Sequence, residues 1–402
     1  MHSASTEATN PLDDLDISSS PGQEKSLATA TARPVGDGTD FSHGDVGAFL
    51  PAPGAFDLYR EAFADGRRYA YSPYRGHDDV REHVAHHVGE FTGRPVDPSR
   101  EIIVTPGTQG ALFVALSSLV EPGDKVAVVV PDYFANSRIV TYLRAQTVPV
   151  TLDYQDPSRA AELDLVKLAY AFASGCKLLV LSNPNNPTGV VYTSDQIHQI
   201  AALAERYGAF IVVDQLYSRL VYPGTSFTHL RTTAIADEHC LTLLGPSKTE
   251  SLSGFRVGVA VGAPHVIDRM EKLQALASLR APGYSQTVLR CWFAEPPGWL
   301  EHRIKEHQNI RDDLHARFEA TNGVSIRRTE GGSYIFPQLP ALRVPPAEFR
   351  NILRSDHGIT VTPGSEFGPG HDRSIRLNFS QQRDNALAAA SVICDLATEL
   401  SE

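Results

Sequence analysis

Short apolar runs alternate along this chain with longer stretches in which apolar residues recur at helical spacing. The runs consist mostly of Val, Ile and Leu and cover Glu101–Thr105, Lys125–Val130, Lys177–Ser182, Ala209–Val213 and Cys240–Leu244. Nearly unbroken apolar runs of this length are typical of strands buried on both faces of a parallel sheet. Because helical patterns lie between them from 101 to about 261, the sequence predicts an α/β fold with a mainly parallel sheet between helices.

The pattern changes on either side of this region. Residues 1–39 are rich in Ser, Thr, Ala and Asp, so we expect a flexible arm that buries no core. From about residue 290 the chain predicts long polar helices, which are typical of a smaller α/β domain. We therefore expect a large domain at 76–285 and a small C-terminal domain at 286–402, to which an N-terminal segment at 40–75 belongs.

Composition excludes several classes of function. The net charge of −11, without any basic run, argues against a nucleic acid or an anionic membrane as a partner. No run of about 18 apolar residues occurs, so no membrane span is expected. The four cysteines are far apart and form no C-x-x-C pair, which favours reduced thiols in a cytoplasmic protein and argues against a metal site.

Polar residues follow directly on three of the predicted strands. Asp214 comes after Ala209–Val213, and the rigid turn Asn183-Pro184-Asn185-Asn186-Pro187-Thr188-Gly189 follows Lys177–Ser182. Lys248 lies in a loop of small residues after Cys240–Leu244, and this loop lacks the glycine pattern of a nucleotide-binding P-loop. Since open α/β sheets bind ligands at the carboxyl ends of their strands, these residues predict one shared site.

The residue types at this edge suit pyridoxal 5'-phosphate. This cofactor needs an amine that holds its aldehyde as a Schiff base, an acid that keeps its ring nitrogen protonated, and an anion site for its phosphate. Lys248 offers the amine and Asp214 the acid. Gly107, Thr108 and Gln109 lie between a predicted strand and a predicted helix, where the unpaired N–H groups of a helix N-terminus bind anions.

In their order and spacing these residues resemble the class I/II aminotransferases, a fold-type I family of pyridoxal-phosphate-dependent enzymes like aspartate aminotransferase. The resemblance runs from about residue 40 to the C-terminus. It implies that Lys248 carries the cofactor and that Asp214 pairs with its ring nitrogen. It also implies that Asn186 and Tyr217 share the phenolic oxygen of the cofactor, and that Tyr133, or else Phe134, stacks on its ring.

The resemblance extends to the phosphate site, with one departure. It implies that Ser247 and Arg256 join the helix N-terminus in binding the phosphate. The family usually has S-x-S-K before its lysine, and here Gly245 stands in place of the first serine, so one phosphate hydroxyl is missing. We expect a water molecule or a backbone N–H to replace it, with somewhat weaker cofactor retention.

For the substrate and the assembly, the resemblance implies further roles. Arg376 matches an arginine that, beside Asn186, holds the substrate α-carboxylate in a two-pronged hydrogen bond. Gly44 matches the glycine of an entrance segment that approaches the substrate. Tyr71 matches a tyrosine that reaches the cofactor phosphate of the neighbouring subunit, which implies a homodimer with shared active sites. Asp45 follows Gly44, and we hypothesise that it pairs with a guanidino side chain, as in arginine-derived specialised metabolism; alternatively it caps a turn or faces the other subunit.

Three functions remain open from the sequence. The first is an aminotransferase that moves an amino group between an L-amino acid and a 2-oxo acid by a ping-pong mechanism, with Lys248 as general base. The second is a lyase or an amino-acid oxidase or hydroxylase that uses the same residues. The third is a pyridoxal-phosphate-binding regulator or a degenerate binding protein. The presence of Lys248, Asp214 and Arg376 argues against degeneracy, and the short acidic N-terminal stretch argues against a DNA-binding domain.

Overall fold

The computed structural model describes residues 38–45, 47–66 and 70–402. Almost all of the expected N-terminal arm, residues 1–37, lies outside the described residues.

The larger part of the fold is built on an eight-stranded sheet with the strand order β1-β8-β7-β6-β5-β2-β3-β4. Its strands are β1 (Ile102–Thr105), β2 (Lys125–Val130), β3 (Gln146–Asp153), β4 (Glu162–Leu163), β5 (Leu178–Ser182), β6 (Phe210–Asp214), β7 (Cys240–Leu244) and β8 (Gly258–Gly262). Neighbours from β7 through β6, β5 and β2 to β3 are parallel, whereas β1, β8 and β4 pair antiparallel at the two edges. The mainly parallel sheet predicted from the apolar runs is confirmed.

Helices surround this sheet and continue beyond it. In chain order they are α1 (Ala55–Ala64), α2 (Asp78–Thr92), α3 (Gly107–Leu119), α4 (Phe134–Tyr142), α5 (Leu165–Ala173), α6 (Ser194–Tyr207), α7 (Pro264–Ala277), α8 (Gly283–Gln286), α9 (Trp299–Glu319), α10 (Pro346–His357) and α11 (Arg383–Glu399). Helix α6 begins with the predicted capping box, in which Thr193 and Gln196 each satisfy the other's backbone N–H. Apolar side chains of α3, α4 and α7 pack on one face of the sheet, and those of α5 and α6 on the other.

A smaller antiparallel sheet lies in the C-terminal part of the chain. Its strands β9 (Tyr334–Ile335), β10 (Thr362–Pro363) and β11 (Ile375–Asn378) are arranged in the order β10-β11-β9. The core beneath it joins α9, α10 and α11 and also takes up Phe41 and Phe49 from the N-terminal segment. We propose the division into a large domain at 76–285 and a small one at 286–402, with the segment 40–75 beside the latter, and the shared core of Phe41 and Phe49 supports it.

The register of the parallel strands brings their carboxyl ends to one edge. Ser182 at the end of β5 pairs with Asp214 at the end of β6, and Asp214 pairs with Leu243 of β7. The segments that follow these strands carry Asn186, Tyr217 and Lys248 and therefore meet at the same place.

Two further expectations concern membranes and metals. No helix within 38–45, 47–66 and 70–402 is long and apolar enough to cross a membrane. His86, His87 and Glu90 on α2 have ligand atoms within 4.8 Å of one another. The expectation that the protein holds no metal stays a prediction.

The buried His307 links α9 to the strand end after β11. Its Nδ1 donates to the Arg303 carbonyl over 2.8 Å, so its Nε2 accepts from the Ser380 hydroxyl over 2.7 Å. The ring also packs on Phe49 with 4.0 Å between centroids. Burial lowers the pKa of His307 to about 3, because the charged imidazolium would lose its hydration.

We predict that His307 makes the fold sensitive to acid. Its pKa is lower in the folded state than in the unfolded chain, so protons bind preferentially to the unfolded chain and stability falls as the pH drops below about 6.5. Between pH 7.5 and pH 5 the free energy of unfolding of wild type should fall by about 2 kcal/mol relative to His307→Gln. Denaturant unfolding at both pH values measures this difference. His302→Gln, on the exposed face of the same helix, is the control and should show the same pH dependence as wild type. The prediction would be contradicted if the free energy of unfolding fell by the same amount in wild type and in His307→Gln.

Candidate active site

A cavity of about 320 Å³ lies at the carboxyl edge of the large sheet. Its lining includes nine of the residues singled out from the sequence: Thr108, Gln109, Tyr133, Asn186, Asp214, Tyr217, Ser247, Lys248 and Arg256. Phe134, the alternative to Tyr133, lines it as well. The structure thus brings together side chains that come from four strand ends and from the N-terminus of α3.

Lys248 lies in the loop between β7 and β8. The loop turns tightly, since the Ser251 N–H donates to the Lys248 carbonyl and the Leu252 N–H to the Pro246 carbonyl, each over 3.1 Å. Ser251 itself adopts a left-handed conformation with a φ of 56°. Backbone turns of this kind hold the lysine side chain at the cavity without any regular secondary structure.

Asp214 ends β6 at the cavity. Its Oδ1 accepts the Leu216 N–H over 3.0 Å. Burial raises the pKa of Asp214 to about 6, while the charge of Lys248 acts in the opposite direction. A buried carboxylate is stabilised by a cationic N–H group, and a protonated ring nitrogen is such a group.

Asn186 is oriented by two neighbours. Its backbone N–H donates to the Ser182 hydroxyl over 3.1 Å, and its side-chain oxygen accepts from Arg376 Nη1 over 3.1 Å. Because the oxygen is engaged by Arg376, the NH₂ group of Asn186 remains as the donor at the cavity.

Arg376 is almost fully buried, with 2% of its surface exposed. Its Nη2 donates to the Ser42 carbonyl over 2.9 Å and to the Thr362 hydroxyl over 3.2 Å. The guanidinium also lies over the Tyr334 ring, 4.3 Å from its centroid. Its Nε has no hydrogen-bond partner among the described residues. A buried guanidinium with a donor to spare is suited to an incoming carboxylate.

Two glycines allow close packing where the cavity meets the N-terminus of α3. Gly107 has a φ of 79°, and a Cβ there would lie 2.4 Å from Arg256 Nη2, so only glycine lets the guanidinium rest against the N-terminus of α3. At Gly245 a Cβ would lie 2.7 Å from the Thr108 hydroxyl. The Thr108 hydroxyl therefore occupies the direction in which a serine at position 245 would project. That hydroxyl donates to the Leu244 carbonyl over 3.4 Å. The expected replacement of the missing serine hydroxyl by a water molecule or a backbone N–H stays a prediction.

Tyr334 is a cavity residue that the sequence reasoning missed. It lies on β9, opposite Asn378 and beside Arg376, and its hydroxyl accepts from the Tyr217 hydroxyl over 2.6 Å. The charges of Lys248 and Arg376 outweigh burial and lower its pKa, whereas burial raises that of Tyr217 well above its usual range. No local pattern signals that this tyrosine points into the cavity.

The remaining aromatic contacts define the side of the cavity near α3. The Tyr133 hydroxyl donates to Gln109 Oε1 over 3.0 Å, and the rings of Tyr133 and Phe134 lie 4.6 Å apart. The bond engages the oxygen of Gln109 and leaves its NH₂ group as a donor.

Five predicted site residues are outside the cavity lining: Gly44, Asp45, Tyr71, Gly107 and Arg376. Gly107 and Arg376 contact the lining residues Arg256 and Asn186, respectively. Gly44 packs against Ser380, and the backbone N–H of Asp45 donates to the Ser380 carbonyl over 2.7 Å. The Asp45 carboxylate accepts the Gly47 N–H over 2.7 Å. Tyr71 is 79% exposed, and Cζ of Arg280 lies 4.5 Å from the centroid of its ring. Their expected roles stay predictions, as do those of the cavity residues.

Comparison with known proteins identifies the family. The family model for aminotransferase class I and II matches residues 43–393. An aspartate/prephenate aminotransferase from Thermus thermophilus is 29% identical over 335 residues, covering 81% of this chain and 82% of that protein. The crystal structure of an aspartate aminotransferase from Rhodobacter sphaeroides is 53% identical with a TM-score of 0.90, covering 93% of this chain and 96% of that one. The chain belongs to the class I and II aminotransferases.

More distant relatives share the fold. The crystal structure of an aromatic aminotransferase from Pyrococcus horikoshii is 22% identical, has a TM-score of 0.83 and covers 91% of this chain and 97% of that one. The fold-type I architecture of the enzyme is thus confirmed. Members of this family depend on pyridoxal phosphate, so this aminotransferase is a pyridoxal-phosphate-dependent transferase.

The residues at the cavity fit this cofactor. The amine of Lys248, the buried carboxylate of Asp214 and the amide of Asn186 supply the three kinds of group that its aldehyde, ring nitrogen and phenolic oxygen require. Arg256, packed on Gly107 at the start of α3, supplies a cation for its phosphate. When bound, the cofactor would supply an aldehyde that takes up a substrate amine and an electron-withdrawing ring conjugated with that aldehyde.

We predict that Lys248 is the lysine that carries the cofactor. The purified aminotransferase should be yellow, and borohydride should bleach it and fix the cofactor on the peptide that contains Lys248. Lys248→Ala should show no fixed adduct and should lose amino transfer, whereas the control Lys272→Ala, on the exposed surface of α7, should keep both. Peptide mass mapping after reduction measures the outcome. A fixed adduct in Lys248→Ala would place the covalent link elsewhere.

Proposed function

We propose that this enzyme transfers an amino group between an L-amino acid and a 2-oxo acid in two half-reactions that use one binding site. The observation that supports this most directly is the bond between Arg376 and Asn186 beside Lys248. It combines a carboxylate-binding cation with the groups that hold the cofactor. A 2-oxo acid and an L-amino acid share the α-carboxylate, so the same site serves both half-reactions.

Arg376 and Lys248 have separate roles in this reaction. Arg376 binds the α-carboxylate, using donors that are already held in place by Asn186, Ser42 and Thr362. Lys248 Nζ, once displaced by the substrate amine, takes the proton from the substrate Cα. Burial of the surrounding groups keeps bulk water away from this proton.

Two hypotheses for the substrate side chain differ in the role of Asp45. The names of the relatives point to aspartate, prephenate or aromatic amino acids, and the aromatic lining of the cavity by Tyr133, Phe134 and Tyr334 supports an aromatic donor. The alternative is the guanidino substrate of specialised metabolism. We favour the first, because the Asp45 carboxylate already caps a turn by accepting the Gly47 N–H over 2.7 Å.

We therefore predict that Asp45→Asn affects all amino donors equally. The amide oxygen of asparagine still accepts the Gly47 N–H, so kcat/KM with 2-oxoglutarate as acceptor should stay within about threefold of wild type for aspartate, phenylalanine and arginine. Chromatographic detection of the 2-oxo acid formed from each donor measures this. A selective loss of tenfold to a hundredfold for arginine, roughly 1.5–3 kcal/mol, would instead support the guanidino hypothesis. Consumption of donors without any new 2-oxo acid would point to a lyase.

We also propose a cytoplasmic homodimer with shared active sites. Tyr71 is 79% exposed and Tyr74 41% exposed, and both rings stack on the Arg280 guanidinium at 4.5 and 4.3 Å. Phe56 and Phe63 of α1 add further exposed aromatic surface, with 65% and 58% of their area exposed. Exposed apolar surface of this extent is typical of a subunit interface.

Subunit mixing tests this assembly. Subunits with Lys248→Ala and subunits with Tyr71→Phe should form hybrid dimers in which one site regains both side chains. Random mixing makes half of the dimers hybrids, so about a quarter of wild-type activity should appear beyond the mean of the parents. Tyr74→Phe, whose ring stacks on the same guanidinium, is the matched control and should be fully active on its own. An active monomer in sedimentation would contradict the shared site.

A further inference from the structure

A buried ion-pair network lies directly behind the loop that carries Lys248. Arg219 donates to Glu250 Oε1 over 2.5 Å and to the two carboxylate oxygens of Glu295 over 2.7 and 3.0 Å. The exposed fractions of these side chains are 8%, 1% and 5%, respectively. The network joins two segments of the active site, since Glu250 follows Lys248 by two positions and Arg219 follows Tyr217 by two.

Stability alone does not account for charges in this place. One guanidinium serves two buried carboxylates, and burial raises the pKa of Glu250 to about 7. Taking such groups out of water is costly, and well-packed apolar residues of the same volume stabilise a fold equally well or better. What an ion pair adds over an apolar contact is a defined geometry between the two segments that it joins.

The Lys248 loop depends on such contacts. It has no helix or strand around the lysine, and Ser251 holds a left-handed backbone conformation that is unfavourable for a residue with a side chain. Arg303 of α9 donates to the Ser251 hydroxyl over 3.0 Å, and the Ala52 N–H donates to the Glu250 carbonyl over 2.9 Å. These contacts connect the loop to α9 and to the N-terminal segment. The contact between the loop and Arg219 is made by the side chain of Glu250.

We propose that the Glu250–Arg219 ion pair is a positioning element of the aminotransferase, which fixes the Lys248 loop relative to the turn that carries Tyr217. Neither side chain lines the cavity. Their effect on the reaction is therefore indirect: they determine where Lys248 Nζ stands. A misplacement of about 1 Å at a group that moves a proton can lower the rate about a hundredfold.

Glu295 provides a matched control within the same network. It bonds to the same guanidinium through both oxygens and is equally buried, but it belongs to the segment before α9 and also accepts the Phe293 N–H over 3.2 Å. Its removal leaves the link between Glu250 and Arg219 in place. Glu250→Ala and Glu295→Ala thus remove one carboxylate each from one arginine, and only the first of them cuts the link to Lys248.

Hydrogen–deuterium exchange measured by mass spectrometry tests the link itself, without substrate. Glu250→Ala should raise exchange in residues 246–253 and 215–220 by about tenfold, and Glu295→Ala should raise it in residues 291–296 only. Glu250→Gln keeps an oxygen for Arg219 and should restore most of the protection. Equal exchange of 246–253 in Glu250→Ala and wild type would overturn the proposal. If Glu250→Ala does not fold, Glu250→Asp, which withdraws the carboxylate by one methylene, takes its place in the same measurement.

Kinetics test the consequence, and this part alone rests on the proposed function. Glu250→Ala should lower kcat for amino transfer by about tenfold to a hundredfold with KM for the donor within about twofold of wild type, because Arg376 still binds the carboxylate. Glu295→Ala should keep kcat within about threefold. An equal loss of kcat in both variants would mean that the network acts only through stability and would overturn the proposal. Absence of amino transfer in wild type would refute the proposed function and leave the exchange result standing.

Discussion

The buried guanidinium of Arg376 joins the two sheets of this aminotransferase. It comes from β11 of the small sheet and donates to Asn186, which follows β5 of the large sheet, and to the Ser42 carbonyl of the N-terminal segment. A guanidinium with 2% of its surface exposed cannot remain without acceptors, so these segments must meet around it. The N-terminal segment, the small sheet and the carboxyl edge of the large sheet thus meet around one buried cation.

The same principle holds within the cavity, where each polar group is oriented by another. Arg376 engages the oxygen of Asn186, Tyr133 engages that of Gln109, and the Tyr217 hydroxyl donates to that of Tyr334. In the first two pairs the amide NH₂ group remains as a donor. Side chains that are already held in place lose little conformational freedom when a ligand binds. Such pre-positioned groups are what a site for proton transfer requires.

Local sequence patterns were sufficient where the physical cause is local. The buried parallel strands appeared as unbroken apolar runs, and β2 and β7 have the predicted bounds. The capping box at Thr193 likewise depends on neighbouring residues only. Strands β3 and β8, each next to an edge strand, have no unbroken apolar run that predicts them. Strand β3 alternates between polar and apolar positions and contains Pro149, and β8 returns antiparallel because the Lys248 loop contains no crossover helix.

The sequence by itself determined the family resemblance and the candidate groups of the site, because Lys248, Asp214 and Asn186 follow recognisable apolar runs and Arg376 matches a family position. Only the tertiary structure decided how those groups are oriented and what supports them. Tyr334 lies 117 positions from Tyr217 in the chain, Thr108 fills the space beside Gly245, and Arg219 meets Glu250 across 31 positions. Contacts between residues so far apart have no local pattern, because they arise only when the tertiary fold brings distant segments together.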